Sequence, residues 1–289
     1  MVPMYEGSIW RPPSEARSLI LQATIGCSNN TCTFCGSYKS KKFRIKSLAN
    51  LKEDVAVAKA YYRNVRRIFL ADGDALVMKT SQFIETLDYL YEEFPNLERV
   101  GAYACPQNLL QKSVDELQML QDHGLGIIYL GVETGLESLL EKVRKGVTRN
   151  EMREAGSKVV TAGIPLSVTI IIGLGGPDLS ESHARETASL LNSMSPDYVG
   201  ALTLMLVEGT DLYTEYGNGQ FHLLAPEETL RELYWLIESL ECTTMFRSNH
   251  ASNYIPLGGD LPQDKSRLLQ EIKTALKTGN LKSEYLRGL

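Results

Sequence analysis

Short apolar segments alternate with longer amphipathic segments through most of the chain. Segments that are apolar almost throughout are typical of parallel strands buried on both faces, because each right-handed crossover places its helix against the sheet. Six strands are predicted in this way, at 18–24, 67–71, 99–104, 126–132, 166–174 and 198–207, with helices between them at 48–63, 80–93, 112–122, 137–145, 149–161 and 179–193. The alternation therefore predicts an α/β fold with a parallel sheet.

Six strand-helix units are too few for the usual closed barrel of eight units. We therefore expect an open, partial (β/α)6 barrel, similar to part of a TIM barrel, over residues 17–208, with a flat doubly wound sheet as the alternative. Functional residues of such folds lie at the carboxyl ends of the strands. Residues 1–16 are predicted to be an N-terminal extension, and residues 209–289 a C-terminal helical cap in the same compact unit, with helices at 226–241 and 263–277 and an irregular stretch at 246–262.

Composition and charge narrow the class of protein. The chain has 289 residues, 43% of them hydrophobic, which suits one barrel-sized domain or two smaller ones. Its 30 basic and 35 acidic side chains leave a net charge of −5, so a nucleic-acid partner is not expected. The sequence has no basic start followed by an apolar stretch and no run of about eighteen apolar residues, so a cytoplasmic protein without a membrane partner is expected.

Three cysteines, Cys27, Cys32 and Cys35, stand close together after the first predicted strand. This clustering and the odd total of five cysteines do not suit a disulfide framework, whereas thiolates at short spacing select zinc or an iron–sulfur cluster. A structural zinc site would need a fourth ligand, which Cys105 or Cys242 could supply. A four-iron cluster held by three thiolates instead keeps one iron open for a small molecule.

The order Cys27-x4-Cys32-x2-Cys35, with Phe34 beside the last cysteine and a strand before the first, resembles the signature of the radical S-adenosylmethionine superfamily. The usual spacing there is three residues and then two, so the first interval is one residue longer here. The resemblance implies that the three cysteines bind a [4Fe–4S] cluster, that S-adenosylmethionine is the second cofactor, and that Phe34 lies in the cofactor site.

The segment LADGDAL at 70–76 follows the second predicted strand and resembles the Gly-Gly-Glu motif of that superfamily. The resemblance implies that Asp72, Gly73 and Asp74 lie beside the methionine ammonium of the cofactor, although the first Gly and the Glu of the motif are replaced. Gly73 would let the backbone approach a ligand closely. The alternative is an ordinary Asp-Gly turn.

The segment YLGVETGLESLLEKVRKGVTRNEMREA follows the fourth predicted strand. Its layout is similar to the branch of the superfamily that contains coproporphyrinogen dehydrogenases, methylthiotransferases and the Elongator catalytic subunit. The resemblance implies that Glu133 contacts the ribose and that Lys145 or Arg144 pairs with the methionine carboxylate. The alternative for both cations is a structural position, because the last turn of a helix favours positive charge.

The fifth predicted strand ends in VTIIIGLGGPD, which resembles the Gly-x-Ile-x-Gly-x-x-Gly segment of the superfamily. There the apolar backbone flanks the adenine, so the resemblance assigns Ile172, Gly173 and Leu174 to adenine binding. The alternative is a buried strand followed by a glycine turn.

Catalytic candidates follow from position and chemistry. Tyr103 and Cys105 stand at the end of the third predicted strand, where both would face a substrate. The Cys105 thiol could donate or relay a hydrogen atom, although a buried cysteine is commonly only a small hydrophobic residue. His250 lies in the polar stretch 245–259 and is the preferred general acid or base among the four histidines, with a plain surface loop as the alternative.

The resemblance implies a reaction in which the reduced cluster donates one electron to the sulfonium. Methionine leaves, and a 5′-deoxyadenosyl radical abstracts hydrogen from an unknown small-molecule or peptide substrate. A flavodoxin- or ferredoxin-type protein is expected as the electron donor. The alternatives are a non-catalytic iron–sulfur or zinc-binding scaffold protein and a zinc hydrolase, which would need three protein ligands and a nearby base.

Overall fold

The computed structural model describes residues 5–287, so residues 1–4 and 288–289 of the predicted extensions lie outside the described residues. The described chain divides into two compact units, here called the first and the second unit. The first contains the residues up to Asn30, Ser37–Leu130 and Lys158–Leu166, and the second contains Thr31–Gly36, Gly131–Ser157 and the residues from Ser167 onward. The boundaries predicted at residues 16 and 208 remain a prediction.

The first unit is built on parallel strands separated by helices. Its strands are β1 (Leu19–Gln22), β2 (Thr24–Ile25), β3 (Arg44–Ile45), β4 (Arg67–Ala71), β5 (Arg99–Ala104) and β6 (Leu125–Glu133), and its helices are α1 (Leu48–Tyr61), α2 (Thr80–Glu93), α3 (Pro106–Leu110) and α4 (Val114–Asp122). β1, β4, β5 and β6 pair in parallel in that order. β2 and β3 form a separate antiparallel pair, and the end of β6 from Gly131 onward belongs to the second unit.

The second unit continues the same alternation and then departs from it. Its elements are α5 (Glu137–Lys142), α6 (Arg149–Thr161), β7 (Leu166–Ile172), α7 (Gly176–Met194), β8 (Tyr198–Thr203), α8 (Asp211–Gly217), α9 (Pro226–Ser239), β9 (Thr244–Ser248), β10 (Leu257–Leu261) and α10 (Lys265–Thr278), of which α6 and β7 begin or end in the first unit. β7 pairs in parallel with β8, and β8 with β9. β10 is antiparallel to β9.

The six predicted strands are confirmed as β1, β4, β5, β6, β7 and β8. Their physical basis is burial: the four residues of β1 are all buried, and only the first residue of β4 is exposed. The predicted helices of this region are confirmed as well, with ends that differ by a few residues. No helix among residues 5–287 is long and apolar enough to cross a membrane.

The prediction of an irregular stretch at 246–262 was wrong, because the stretch contributes to β9 and contains the whole of β10. The first, third and fifth residues of β9 are buried, but two of these are Thr244 and Ser248. Their polarity hides the alternation by which a half-buried strand is normally recognised. β10 contains two glycines, which are uncommon in strands, so it gives no strand signal either.

Each unit has a hydrophobic cluster of its own. In the first unit the aromatic ring of Phe69 on β4 packs against Tyr129 on β6 and Tyr103 on β5. In the second unit the cluster consists of Leu139, Val143, Leu174, Leu204, Leu212 and Phe221. In the second unit, residues just after β7 and β8, such as Leu174 and Leu204, are thus part of the packed core.

The N-terminus of α4 offers a test of the local structure. Ser113 accepts a hydrogen bond from the Glu116 backbone N–H, and the Glu116 carboxylate accepts one from the Ser113 N–H. Ser113→Ala is expected to lower the free energy of unfolding by about 1 kcal/mol, because it leaves a helical N–H without its cap. Urea denaturation measures the change, with the exposed Gln118→Ala in the same helix as control. Equal stability of wild type and Ser113→Ala would contradict the capping box.

Candidate active site

The three clustered cysteines lie on one loop, Cys27 in the first unit and Cys32 and Cys35 in the second. None of the five cysteines, all within the described residues, forms a disulfide. In the second unit the Cys35 N–H donates to the Cys32 carbonyl at 3.4 Å, and the neighbouring Thr33 is held by backbone bonds to Val143 and Leu212. The backbone of this part of the loop is thus fixed from two other segments.

The end of β4 lies against Cys27 in the first unit. A Cβ atom added to Gly73 would lie 2.8 Å from the Cys27 Cβ and 2.9 Å from Cε2 of Tyr38. The Cys105 Sγ, from the end of β5, lies 3.5 Å from the Cys27 Sγ. Gly73 therefore has to lack a side chain for Cys27 to take this position, and a fourth thiol adjoins the first thiol of the loop.

Asp72 is fully buried and accepts hydrogen bonds from three directions. Its carboxylate accepts from the Gly26 N–H at 2.9 Å, from the Gln22 side chain at 3.1 Å and from the Lys41 ammonium at 2.7 Å. These bonds connect the end of β4 to the start of the cysteine loop and to the segment that follows it. The predicted contact of Asp72 with a methionine ammonium remains a prediction.

Asp74 makes a second connection of the same kind. Its carboxylate accepts from the Cys105 N–H at 3.1 Å and from the side chains of Ser28 and Asn108, each at 2.5 Å. Burial raises the pKa of Asp74, while these hydrogen bonds act in the opposite direction. Asp72 thus restrains the backbone of the residue before Cys27, and Asp74 restrains the side chain of the residue after it.

Glu133 and Lys145 form a buried ion pair in the second unit, with 2.9 Å between Oε1 and Nζ. Glu133 ends β6 with a φ of +64°, and an added Cβ at Gly131 would meet the Glu133 carboxylate and lie 3.1 Å from the Lys145 Nζ. Arg144 instead exposes its guanidinium, 2.7 Å from Asp211. Lys145 and Arg144 were the two residues predicted to pair with the methionine carboxylate. Of these two, the structure places Lys145, and not Arg144, beside Glu133.

The predicted adenine segment lies at the end of β7. Gly173 has a φ of +85°, and its N–H donates to the buried Glu232 carboxylate of α9 at 2.6 Å. Leu174 belongs to the hydrophobic cluster of the second unit, and Phe34 packs against the same cluster. The structure therefore brings Phe34 and Leu174 to one apolar surface, while Ile172 ends the strand as a buried residue.

The catalytic candidates Tyr103 and His250 lie in different surroundings. Tyr103 is half-buried, with its ring edge-on to Phe69 at a centroid distance of 4.9 Å. His250 lies between β9 and β10, where its Nδ1 is 2.9 Å from the Ser252 hydroxyl, and burial lowers its pKa. The contacts of His250 are to its own turn, so the structure does not bring it into one cluster with Glu133 and Lys145. Its role as an acid or base remains a prediction.

Sequence reasoning missed two residues that the structure connects to these segments, Lys41 and Glu232. Lys41 stands among several basic residues in KSKKFR, and nothing in the sequence distinguishes the one that turns inward. Glu232 did carry a signal: it is three residues after Thr229 and four before Leu236, both buried, so it lies on the inner face of α9. A carboxylate on the buried face of a helix indicates a specific partner.

Within residues 5–287 no three His, Cys, Asp or Glu side chains are gathered in a metal-binding arrangement. The assignment of Cys27, Cys32 and Cys35 as ligands therefore remains a prediction that rests on their spacing along one loop. The donor set suits an iron–sulfur cluster, since all three are thiols.

A model of the Radical SAM superfamily matches residues 21–191 of the chain. The heme chaperone HemW of Bacillus subtilis is 21% identical over 184 residues, which are 63% of this chain and 48% of that protein. A tRNA-2-methylthio-N(6)-dimethylallyladenosine synthase of Dehalococcoides mccartyi is 24% identical over 197 residues, 65% of this chain and 45% of that protein. The chain thus spans about half the length of the curated relatives it matches.

Among solved structures, coproporphyrinogen III oxidase (HemN) from Escherichia coli, described as a radical SAM enzyme, is similar to the chain. The TM-score is 0.55 at 15% identity, over 76% of this chain and 51% of that one. At this identity the likeness shows the fold. It confirms the predicted α/β class with a partial (β/α)6 barrel.

The contact between Cys27 and Cys105 is testable by thiol oxidation. In protein prepared without iron, diamide is expected to join the two residues in a disulfide, itself taking up the two hydrogens, because the sulfurs lie 3.5 Å apart. Alkylation followed by peptide mass spectrometry identifies the linked cysteines. Cys105→Ser should abolish this product and Cys242→Ser should leave it unchanged. Linkage of Cys27 to a different cysteine would contradict the geometry.

Proposed function

The chain belongs to the radical S-adenosylmethionine superfamily, and from this membership we propose that it reductively cleaves S-adenosylmethionine at a [4Fe–4S] cluster held by Cys27, Cys32 and Cys35. The predicted resemblance to the coproporphyrinogen dehydrogenase, methylthiotransferase and Elongator branch is confirmed. The chain is an enzyme, and its cofactors are a [4Fe–4S] cluster and S-adenosylmethionine. The ligands, the cofactor contacts and the substrate are parts of the proposal.

The observation that carries the cluster assignment is the spacing of the three cysteines on one loop, and the fit of Cys27 against Gly73 supports it. A side chain at residue 73 would overlap the Cys27 Cβ, so the glycine at the end of β4 is what allows the first cysteine of the loop to take its position. Asp72 supports the same arrangement by binding the N–H of Gly26, the residue before Cys27.

The buried pair of Glu133 and Lys145 supports the site for S-adenosylmethionine. The Lys145 ammonium suits the methionine carboxylate, and the Glu133 carboxylate can accept hydrogen bonds from both hydroxyls of a ribose. Without the ligand the two side chains satisfy each other at 2.9 Å. Binding then exchanges partners, so that neither charge is left buried and unpaired.

A reduced cluster held by Cys27, Cys32 and Cys35 would supply the electron for cleavage of a carbon–sulfur bond of S-adenosylmethionine, from which methionine and a 5′-deoxyadenosyl radical would arise. The protein binds, orients and excludes water. Phe34 and Leu174 share the apolar cluster of the second unit, which keeps solvent from the adenosyl group. Cys105 adjoins Cys27, which supports a hydrogen-atom donor beside the cluster; Tyr103 and His250 are proposed to contact the substrate.

The substrate is proposed to be a small molecule or a peptide, and the electron donor a flavodoxin- or ferredoxin-type protein. The family match does not favour the alternative of a non-catalytic scaffold. Because the chain covers about half of its curated relatives, their complete activities are not carried over.

Gly73→Ala tests the cluster assignment. The added methyl would displace Cys27, because it would lie 2.8 Å from the Cys27 Cβ, and we expect a loss of most bound iron and sulfide after anaerobic reconstitution. Gly217→Ala is the matched control, since a Cβ at residue 217 has no neighbour within 4 Å. Iron and sulfide analysis checks the result. Full retention of four irons by Gly73→Ala would separate Cys27 from the cluster.

Formation of 5′-deoxyadenosine tests the proposed reaction. Reconstituted wild type, reduced with dithionite and supplied with S-adenosylmethionine, is expected to release 5′-deoxyadenosine, measured by chromatography.

The affinity for S-adenosylmethionine tests the assignment of Glu133. Glu133→Gln should keep its iron and bind S-adenosylmethionine about ten-fold more weakly, because it loses a charge-assisted contact. Glu141→Gln, an exposed change in α5, should behave as wild type. Unchanged affinity in Glu133→Gln would remove Glu133 from the site.

A further inference from the structure

The helix α9 carries a carboxylate on its buried face. Glu232 has an exposed fraction of 0% and lies between the buried residues Leu230 and Leu233. Burying an ionised carboxylate among apolar residues is unfavourable unless hydrogen bonds compensate for the lost water. The position of Glu232 therefore points to a specific role for its two oxygens.

Both oxygens of Glu232 are used by the connection between β7 and α7. Oε1 accepts from the Gly173 N–H at 2.6 Å, and Oε2 accepts from the Ser180 hydroxyl at 2.5 Å. Gly173 follows the last residue of β7, and Ser180 lies near the start of α7. One side chain thus holds the turn at the end of a strand and the helix that follows it.

A neutral histidine completes the surroundings of Glu232. His183 Nε2 lies 3.5 Å from Oε1 and 3.0 Å from the Ile171 carbonyl, while its Nδ1 lies 2.8 Å from the Thr134 hydroxyl. Burial lowers the pKa of His183 to about 4 and raises that of Glu232 to about 7. His183 supplies no positive charge at neutral pH, so the bonds from Gly173 and Ser180 are the principal compensation for Glu232 in its ionised form, and the raised pKa favours its protonated form.

The conformation of Gly173 explains why such a contact is needed. Its φ of +85° lies in the left-handed region. Glycine adopts positive and negative φ about equally readily, so its own preference does not fix this conformation. An added Cβ at this residue would meet no atom closer than 3.6 Å, so the turn is not forced on Gly173 by a steric clash. Two hydrogen bonds restrain the turn, one from the Gly173 N–H to Glu232 and one from the Gly176 N–H to the Gly173 carbonyl at 3.1 Å.

We propose that Glu232 is a positioning residue for S-adenosylmethionine, which fixes the Gly173 turn in the orientation that receives the adenine. This inference rests on the proposed function, in which Ile172, Gly173 and Leu174 flank the adenine. Glu232 lies outside residues 21–191, which the family model matches, so the C-terminal extension contributes to the cofactor site by a residue of its own. It acts through the backbone and has no contact with the reacting atoms.

The acceptor, rather than the charge, is the required property of Glu232. Glu232→Leu removes the acceptor and leaves the Gly173 N–H unsatisfied, and we expect affinity for S-adenosylmethionine to fall about ten-fold or more. Glu232→Gln keeps an oxygen that can accept from Gly173 and should restore affinity to within about three-fold of wild type. Glu232→Asp, which withdraws the oxygens by one methylene, should bind nearly as weakly as the Leu variant.

The test measures binding without turnover, by isothermal titration of S-adenosylmethionine into full-length, reconstituted protein with an oxidised cluster. Iron content and melting temperature are recorded for each variant. Glu238→Leu, at an exposed position of the same helix, is the matched control and should bind as wild type. If the Leu variant does not fold, the comparison of Glu232→Asp with Glu232→Gln decides the question.

The outcomes separate this inference from the proposed function. Weak binding by the Leu and Asp variants with recovery in the Gln variant, at unchanged iron content, supports the positioning role. Wild-type binding with equal affinity in all variants overturns it and leaves the proposed function standing. An equal loss in the Gln and Leu variants also overturns it, because the charge would then be required. Failure of wild type itself to bind S-adenosylmethionine overturns the proposed function.

Discussion

The buried carboxylate of Asp72 is the contact on which the predicted cluster loop depends. It pairs with the Lys41 ammonium at 2.7 Å, and the side chains of both residues are almost completely shielded from water. Removing one partner of such a buried pair generally costs about 3–5 kcal/mol, because the other charge is left uncompensated. The same carboxylate binds the Gly26 N–H. The chain therefore enters the cysteine loop from a rigid point, although the loop itself has little regular structure.

Glu232 repeats this arrangement in the second unit. In both places a buried carboxylate accepts the N–H of a glycine at a turn, Gly26 with a φ of +80° and Gly173 with a φ of +85°. A glycine allows a turn that other residues resist, but it does not hold the turn, and the carboxylate supplies what the glycine lacks. The two segments that the family resemblance assigns to the cluster and to the adenine are thus restrained in the same way, by a hydrogen bond from a glycine N–H to a buried carboxylate.

The fold followed from the sequence because its signal is local. An apolar run such as that of β7 needs no knowledge of its partners to be recognised as a buried strand, and the cysteine spacing stands in the sequence itself. Lys41 and Glu232 could not be assigned in this way, since their roles depend on which distant carboxylate or N–H each one meets. β9 was not predicted for a related reason. Thr244 and Ser248 are buried, but as polar residues they do not show in the sequence that they are buried.

In the proposed site, the pair of Glu133 and Lys145 makes the restrained turns matter for affinity. The two charges already satisfy each other at 2.9 Å, so part of what they would gain from contacts with S-adenosylmethionine is offset by the contact that they lose. The pair would also contribute to selectivity for a ligand that offers both a carboxylate and a diol. On this proposal, a large share of the binding free energy would come from the cluster and from burial of the adenine. Adenine burial requires a turn that is in place before the ligand arrives, because ordering a flexible segment on binding weakens affinity.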